Sequence, residues 1–304
     1  MLSERTPRPP EGLSPRRGFW YTRSVRLCVL ASGSGGNTTF LEAGGARVLV
    51  DAGLSYRETR RRCSEAGFDL RDVTDVLLTH EHADHCFGTA TIARKVGARV
   101  HATWGTLKAL RDPPPSELCF ALPRDGVLLL GHALHVRALP VPHDAVEPVA
   151  YAFEERLDSG RCVRAAVVTD LGCAPRTLSK ALGGLDALVL ETNYEERLLL
   201  EGPHPPSLKR RVRSDLGHLS NAQAAQLVGR VLHPGLRHLV LAHLSEHSNT
   251  PKHARREAEA VLEMRGSHAA LHLAGQARPL PPILLEAGPA ARRARQLALF
   301  GESR

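Results

Sequence analysis

The chain has 304 residues, of which 42% are hydrophobic and 24% charged, a composition typical of folded globular proteins. No apolar run reaches the 18 residues that a transmembrane helix needs, so none is expected. Residues 1–26 carry six arginines and two glutamates and residues 286–304 carry four arginines and two glutamates, so only +2 of the net charge of +8 lies between them. Global basicity is therefore weak evidence for nucleic-acid binding.

The cysteines are scattered without a C-x-x-C pair, which argues against a disulfide framework and a zinc ribbon and favours a reducing cytoplasm. Residues 1–24 are rich in proline and arginine and lack the apolar stretch of a secretory signal, so they predict a disordered basic arm. The folded domain is expected to cover residues 25–286, followed by a C-terminal tail over 287–304. The sequence leaves the oligomeric state open.

The first predicted elements are strands joined by glycine-containing turns. Val25 to Leu30 and Thr38 to Glu42 are β-like runs on either side of a turn rich in glycine and serine. Gly44-Gly45 predicts a hairpin into a third strand, which ends at Asp51. Asp51 either orients a metal-binding histidine or is an ordinary turn residue, and the sequence alone leaves both interpretations open.

A dense group of metal-binding side chains follows the apolar run Val76-Leu77-Leu78. The segment Thr79-His80-Glu81-His82-Ala83-Asp84-His85 contains three imidazoles and an aspartate. Alternate side chains of an extended segment point the same way, so His80 and His82 can face one ion while Asp84 and His85, past a bend, face another. The H-x-H-x-D-H spacing predicts a two-metal site, against the alternative of histidines that only cap a strand.

Further ligand-type residues each follow a strand-like run later in the chain. His143 follows a hairpin predicted around Gly131-His132, and Asp170 and His243 follow two apolar runs. Capping residues and prolines predict helices at Ser55 to Ala66, Phe87 to Val96, Ala222 to Leu232 and Pro251 to Met264. Strands alternating with helices indicate an α/β fold, whose loops after strands display functional groups.

The order of these motifs resembles that of the metallo-β-lactamase-fold hydrolases, which share the H-x-H-x-D-H stretch and the later aspartate and histidines. The resemblance extends to the YycJ/WalJ-like branch, through Ala31-Ser32-Gly33-Ser34-Gly35-Gly36-Asn37, Glu191-Thr192-Asn193-Tyr194 and Gly217-His218-Leu219-Ser220-Asn221. It covers about residues 25 to 285. Tyr194 departs from the branch, whose members often have histidine there.

The resemblance implies an αββα four-layer sandwich with the site at one edge, between the two sheets. His80, His82 and His143 then correspond to the ligands of one metal, and Asp84, His85 and His243 to those of a second, with Asp170 bridging. Asp51 and Ser245 are expected beside these ligands. The donors are nitrogen and oxygen without thiolate, which suits Zn²⁺ or Mn²⁺ and does not separate them.

The resemblance also implies a catalytic role for His218, since nuclease branches of this fold use a histidine in a comparable loop to contact the scissile phosphate or assist the leaving oxygen. Asp84 is expected to orient the nucleophile as well. A surface histidine is the alternative for His218. The preceding segment supplies cations for a phosphodiester backbone, or for an ordinary solvated helix face: Lys209, Arg210, Arg211 and Arg213.

The foremost prediction is a metal-dependent phosphodiesterase acting on nucleic acid, in particular a DNA exonuclease, with a hydroxide held by two divalent ions as the nucleophile. The alternative on the same fold is a glyoxalase II-like hydrolase of small thioesters, lactones or lactams. A protein that holds metal without turnover is disfavoured because the set of seven ligands is intact. His218 and the basic segment favour the first hypothesis.

Overall fold

Two sheets of seven strands each form the centre of the computed structural model, which describes residues 25–157 and 162–286. The predicted arm, 1–24, and tail, 287–304, lie outside the described residues. The strands of the first half of the chain are β1 (Val25–Ala31), β2 (Thr38–Ala43), β3 (Ala46–Val50), β4 (Asp75–Leu77), β5 (Arg99–Thr103) and β6 (Cys119–Leu122). The others are β7 (Val127–Leu130), β8 (Leu134–Pro140), β9 (Val149–Arg156), β10 (Cys162–Val168), β11 (Ala187–Glu191), β12 (His238–Ala242), β13 (Ala270–Leu273) and β14 (Ile283–Leu285).

Both sheets are mixed, and each has one run of parallel strands. The first sheet has the order β14-β1-β2-β3-β4-β5-β6, and β3 to β6 are parallel. The second has the order β13-β12-β11-β10-β9-β8-β7, and β10 to β13 are parallel. Parallel strands end at the same edge of a sheet, which is where ligand sites of open α/β sheets form.

Nine α-helices connect these strands within the described residues: α1 (Tyr56–Glu65), α2 (Ala83–Cys86), α3 (Thr89–Val96), α4 (Trp104–Ala109), α5 (Arg176–Ala181), α6 (Glu196–Glu201), α7 (Pro206–Val212), α8 (Asn221–Val231) and α9 (Pro251–Met264). Their beginnings follow local capping chemistry. Ser55 accepts from the backbone N–H of Glu58, and Ser220 forms a capping box with Gln223. Among the described residues, no helix is both long and apolar enough to cross a membrane.

Three buried apolar layers separate the four layers of secondary structure. The central core packs the two sheets face to face, with Val48 and Leu27 from the first sheet and Tyr151 and Val167 from the second. A second core lies between the second sheet and α5, α8 and α9, and a third between the first sheet and α1 and α3. The predicted αββα four-layer sandwich is therefore confirmed.

Candidate metal centre

The predicted ligands converge because the strands that carry them end at the same edge of the sandwich. Asp51 follows β3 and His80 follows β4, two parallel neighbours of the first sheet. In the second sheet, Asp170 and His243 follow β10 and β12. His143 follows β8, which is antiparallel to β9 and therefore runs in the same direction as β10. Both sheets thus contribute side chains to one site.

Four overlapping groups of donor atoms lie within this site, and two of them share no residue with each other and match the predicted ligand sets. His80, His82 and His143 each offer a ring nitrogen within 4.8 Å of the others, and His143 Nε2 lies 3.4 Å from His82 Nδ1. Asp84, His85 and His243 form a second group with the same spread. All six residues are those assigned to two ions from the sequence.

Asp170 lies between the two groups. Its Oδ2 is 3.0 Å from His85 Nε2, its Oδ1 is 3.1 Å from His243 Nδ1, and the same oxygen is 4.0 Å from His143 Nε2. Burial would raise the pKa of Asp170, but the charges of His243 and His85 outweigh burial and lower that pKa well below its ordinary value. Asp170 is thus an ionised carboxylate that can contact both groups.

The donor set fits divalent cations. His80 Nε2, Asp170 Oδ2 and His243 Nδ1 are buried without a hydrogen bond of good geometry, although two of them lie close to charged neighbours. Such orphaned atoms are costly unless an ion satisfies them. Burial, followed by the nearby charge of His85, holds the pKa of His80 well below its usual range, which favours the neutral ring that binds metal.

Three of the site residues have a left-handed backbone. Asp51, Asp170 and His243 have φ angles of 59°, 56° and 52°, and they are the non-glycine residues with positive φ in the part of the chain that the structure describes. Each costs on the order of 1–3 kcal/mol, and such conformations concentrate at functional sites. Each lies just past a strand, where the left-handed turn directs the side chain into the site.

Asp51 contacts a candidate metal-binding histidine, His85, and is not itself assigned to an ion. Its Oδ2 accepts from His85 Nδ1 at 2.7 Å, and its Oδ1 accepts from the Thr79 backbone N–H at 2.8 Å. The His85 ring therefore turns Nε2 toward Asp84 and Asp170. The next glycine is required here, because a Cβ on Gly53 would lie 1.8 Å from the Asp84 carbonyl oxygen.

The glycine-containing turn between β1 and β2 also reaches the site. Ser32 Oγ accepts from the His243 backbone N–H at 2.7 Å, and Asn37 Nδ2 lies 3.3 Å from Asp84 Oδ2 and 3.0 Å from His85 Nε2. Ser32 and Asn37 both belong to the turn through which the sequence resembles the YycJ/WalJ-like branch. The signal available in the sequence was a polar turn that leads into a strand instead of a helix.

Ser245 lies in the loop that follows His243. Its backbone N–H donates to the Asn193 carbonyl at 2.8 Å, and its hydroxyl accepts from the Ser248 N–H at 3.1 Å. Ser245 therefore stabilises the loop that follows His243. Tyr194 is buried next to this loop, and burial raises its pKa to about 12.

His218 reaches the same site from the loop before α8. Its Nδ1 is 2.6 Å from Glu191 Oε1 and 3.5 Å from Asp170 Oδ1. Burial would lower the pKa of His218, but the carboxylates of Glu191 and Asp170 outweigh burial and raise that pKa. Glu191, the last residue of β11, is the partner that the sequence analysis missed.

The basic segment borders the site, and three of its four cationic side chains contact other groups of the protein. Arg211 pairs with Asp144, next to His143, and Arg213 pairs with Glu196 at 2.6 Å. Lys209 donates to the Leu200 carbonyl at 2.7 Å. Arg210 is exposed and forms no ion pair with the described residues. Exposed pairs of this kind contribute little stability, so their cations can exchange partners.

A family model described as "Beta-lactamase superfamily domain" matches residues 46–244. The chain belongs to the beta-lactamase superfamily, in its metallo-β-lactamase-fold form. It is 36% identical over 245 residues to the exodeoxyribonuclease YycJ of Bacillus anthracis, covering 80% of this chain and 90% of the relative. It is 32% identical to the exodeoxyribonuclease WalJ of Streptococcus pneumoniae, covering 76% and 84%. The predicted resemblance, and with it the membership of a hydrolase superfamily, is confirmed.

Solved structures support the same fold. The Bacillus subtilis metallo-beta-lactamase fold protein YhfI matches with a TM-score of 0.61 at 16% identity, over 84% of this chain and 99% of the other. The short form of human tRNase Z matches with a TM-score of 0.56 at 14% identity, over 84% and 98%. At these identities the structures speak for the fold alone.

Proposed function

We propose that the protein is a metal-dependent phosphodiesterase that cleaves nucleic acid, and in particular a DNA exonuclease. The observation that carries this proposal is the His218–Glu191 pair, which lies against Asp170 and is additional to the seven residues assigned to the two ions. The names of the YycJ and WalJ relatives, exodeoxyribonucleases, support DNA as the substrate. The six cysteines, none of them in a disulfide, support a cytoplasmic protein.

We assign two divalent ions, Zn²⁺ or Mn²⁺, to the two groups of donors. His80, His82 and His143 would hold one ion, Asp84, His85 and His243 the other, and Asp170 would contact both. When bound, the ions supply an activated water and offset the negative charge of the phosphoryl oxygens. Burial would raise the pKa of Asp84, but hydrogen bonds from His243 and His85 lower it, so Asp84 is a carboxylate that can orient a water.

His218 would act on the phosphodiester. Its Nδ1 is held by Glu191, so its Nε2 would be the nitrogen that contacts the substrate. The raised pKa of His218 favours the imidazolium form, which donates a proton or a hydrogen bond to the scissile phosphate or the leaving oxygen. A glyoxalase II-like hydrolase would use the same metal ligands, but its reaction would not require the His218–Glu191 pair.

The direct test is cleavage by the purified, metal-loaded protein. End-labelled single- and double-stranded DNA, RNA and a glutathione thioester would be offered with Mn²⁺ or Zn²⁺. We expect a ladder of shortened DNA products, whose labelled end reports the direction of digestion. Hydrolysis of the thioester without cleavage of any nucleic acid would refute the proposal.

The first prediction concerns His218. We expect His218→Ala to lower DNA cleavage by about 10²–10⁴-fold, the range for loss of a general acid or base, with two ions still bound. Single-turnover assays and metal analysis would be compared with His268→Ala, a change of an exposed histidine in the turn before β13. Parallel loss of metal and cleavage in His218→Ala would show instead that His218 is a ligand.

A further inference from the structure

Trp104 is the first residue of α4 and lies at the edge of the sandwich that carries the candidate metal centre. It directly follows β5, which is parallel to β4, and His80 follows β4. Both positions are therefore at the same ends of neighbouring strands. The start of α4 is capped by Thr103, whose Oγ1 accepts from the Thr106 N–H at 3.3 Å.

The loop that carries His143 fixes the position of Trp104. Glu147 of that loop accepts from the Gly105 N–H through Oε2 at 2.6 Å, and its carbonyl accepts from Thr103 Oγ1 at 2.9 Å. One residue earlier, the Val146 N–H donates to Glu81 Oε1 at 2.9 Å. Glu81 lies between His80 and His82. Hydrogen bonds therefore connect the backbone on either side of Trp104 to two segments that carry candidate metal ligands.

The indole itself is left in solvent. Trp104 is 58% exposed, and Val146, which precedes Glu147, is 59% exposed. Lys108 Nζ lies 4.8 Å from the centroid of the indole ring, on which it packs as a cation. An exposed aromatic ring on an anchored backbone, beside a lysine, can stack on a nucleic-acid base while the lysine contacts the adjoining phosphate.

We propose that Trp104 stacks on an unpaired base of the nucleic-acid substrate, next to the phosphate that is cleaved. This inference rests on the proposed nuclease function and specifies that the site receives a single-stranded end. Bases inside a duplex are already stacked on one another, so an aromatic side chain gains a base only from an unpaired strand. Lys108 would contact the adjoining phosphate.

The test uses the intrinsic fluorescence of the full-length, metal-loaded protein. The chain has two tryptophans, and Trp20→Phe leaves Trp104 as the only tryptophan, which is excited selectively at wavelengths that tyrosine does not absorb. The probes are a phosphorothioate oligothymidylate, which resists cleavage, and an abasic oligomer of the same length and charge. We expect the oligothymidylate to quench Trp104 and the abasic oligomer to leave its emission unchanged. Equal quenching by both would overturn the inference.

Binding by Trp104 variants gives a second readout. We expect Trp104→Ala to raise the Kd for the oligothymidylate about tenfold, with Trp104→Phe recovering most of the affinity and metal content unchanged in both. Met264→Ala, which removes an exposed apolar side chain at the end of α9, is the matched control. Unchanged binding by Trp104→Ala, or a shift from oligomer to monomer as its sole effect, would overturn the inference. If Trp104→Ala cleaves and binds DNA like the wild type, the stacking inference fails but the proposed nuclease function does not. If the wild-type protein cleaves no nucleic acid, the proposed nuclease function and the stacking inference both fail.

Discussion

Glu191 is a charged residue with a fully buried side chain, and its contacts explain why it stays charged. Its Oε1 accepts from His218 Nδ1, and its Oε2 accepts from the Leu171 backbone N–H at 3.0 Å. Burial would raise the pKa of Glu191, but the charge and hydrogen bond of His218 outweigh burial and lower that pKa. One carboxylate therefore positions both the His218 ring and the backbone next to Asp170.

The second prediction follows from this position. We expect Glu191→Gln to reduce cleavage about 10- to 100-fold, the usual cost of losing an outer-shell partner, because the amide holds the His218 ring and its charge less well. Single-turnover rates and metal analysis would measure the two effects separately. Glu154→Gln is a matched control, since Glu154 is another buried glutamate, paired with Arg164 on β9 and β10. A Glu191→Gln variant with wild-type rates would contradict the positioning role.

The residues of the site differ in how far the sequence alone could identify them. His80 to His85 form a local pattern with a characteristic spacing, and His143, Asp170 and His243 each follow an apolar run. Glu191 also ends an apolar run, yet its role depends on a partner 27 residues away. The role of Glu191 can be recognised only from the tertiary structure, in which the loop that carries His218 packs over the end of β11.

At the scale of elements, β4 has only three residues yet leads directly into the His80–His85 stretch. Asp75 at its start is completely buried, with Oδ1 2.8 Å from both His101 Nε2 and Arg99 Nε of β5. Burial would raise the pKa of Asp75, but hydrogen bonds from His101 and Arg99 outweigh it and lower that pKa. The ionised form thus anchors a short strand.

The third prediction is that Asp75→Asn lowers the free energy of unfolding by about 1–3 kcal/mol at neutral pH. Because the pKa is lower in the folded than in the unfolded state, the stabilisation is present above the unfolded pKa and is lost as pH falls through the folded one. The difference between variant and wild type should therefore shrink below about pH 4. Urea titrations across this range would measure it, with the exposed Asp72→Asn as control. A difference that is constant in acid would contradict the assignment.

The elements that the sequence predicted well have strong local signals. The hairpins at Gly44-Gly45 and Gly131-His132 and the helix Pro251–Met264 are present as predicted. The helix expected over Phe87 to Val96 is present as α3, which begins at Thr89, and a separate short helix, α2, precedes it. Gly88 lies between the two helices, where a Cβ would be 2.0 Å from the Leu54 carbonyl oxygen. Strand β9 was not predicted: its first six residues are all buried, so it lacks the alternation that marks a half-exposed strand.

At the scale of the whole molecule, the candidate ligands come from both sheets. The first sheet supplies the His80–His85 stretch, and the second supplies His143, Asp170 and His243. Ions bound here would therefore crosslink the two halves of the sandwich across their shared core. Since an unfolded chain offers no such arrangement, metal binding should stabilise the fold.

The fourth prediction is that chelation of the metals lowers the melting temperature. Ligand at 100 to 1,000 times its Kd contributes about 3–4 kcal/mol, which corresponds to a shift of about 10 °C for a domain of this size. Calorimetry of the loaded and chelated protein would measure it. Asp170→Ala is the reference, since chelator should shift its melting temperature much less. An identical melting temperature with and without metal would argue against ions that join the sheets.

The left-handed conformations of Asp51, Asp170 and His243 have an evolutionary consequence. While the ions are useful, selection retains side chains there that the backbone disfavours. In descendants that have lost metal-dependent activity, that constraint disappears, and glycine or asparagine would relieve the strain at all three places. In such descendants, substitutions at these three turns should therefore appear earlier than substitutions in the apolar layers between the sheets.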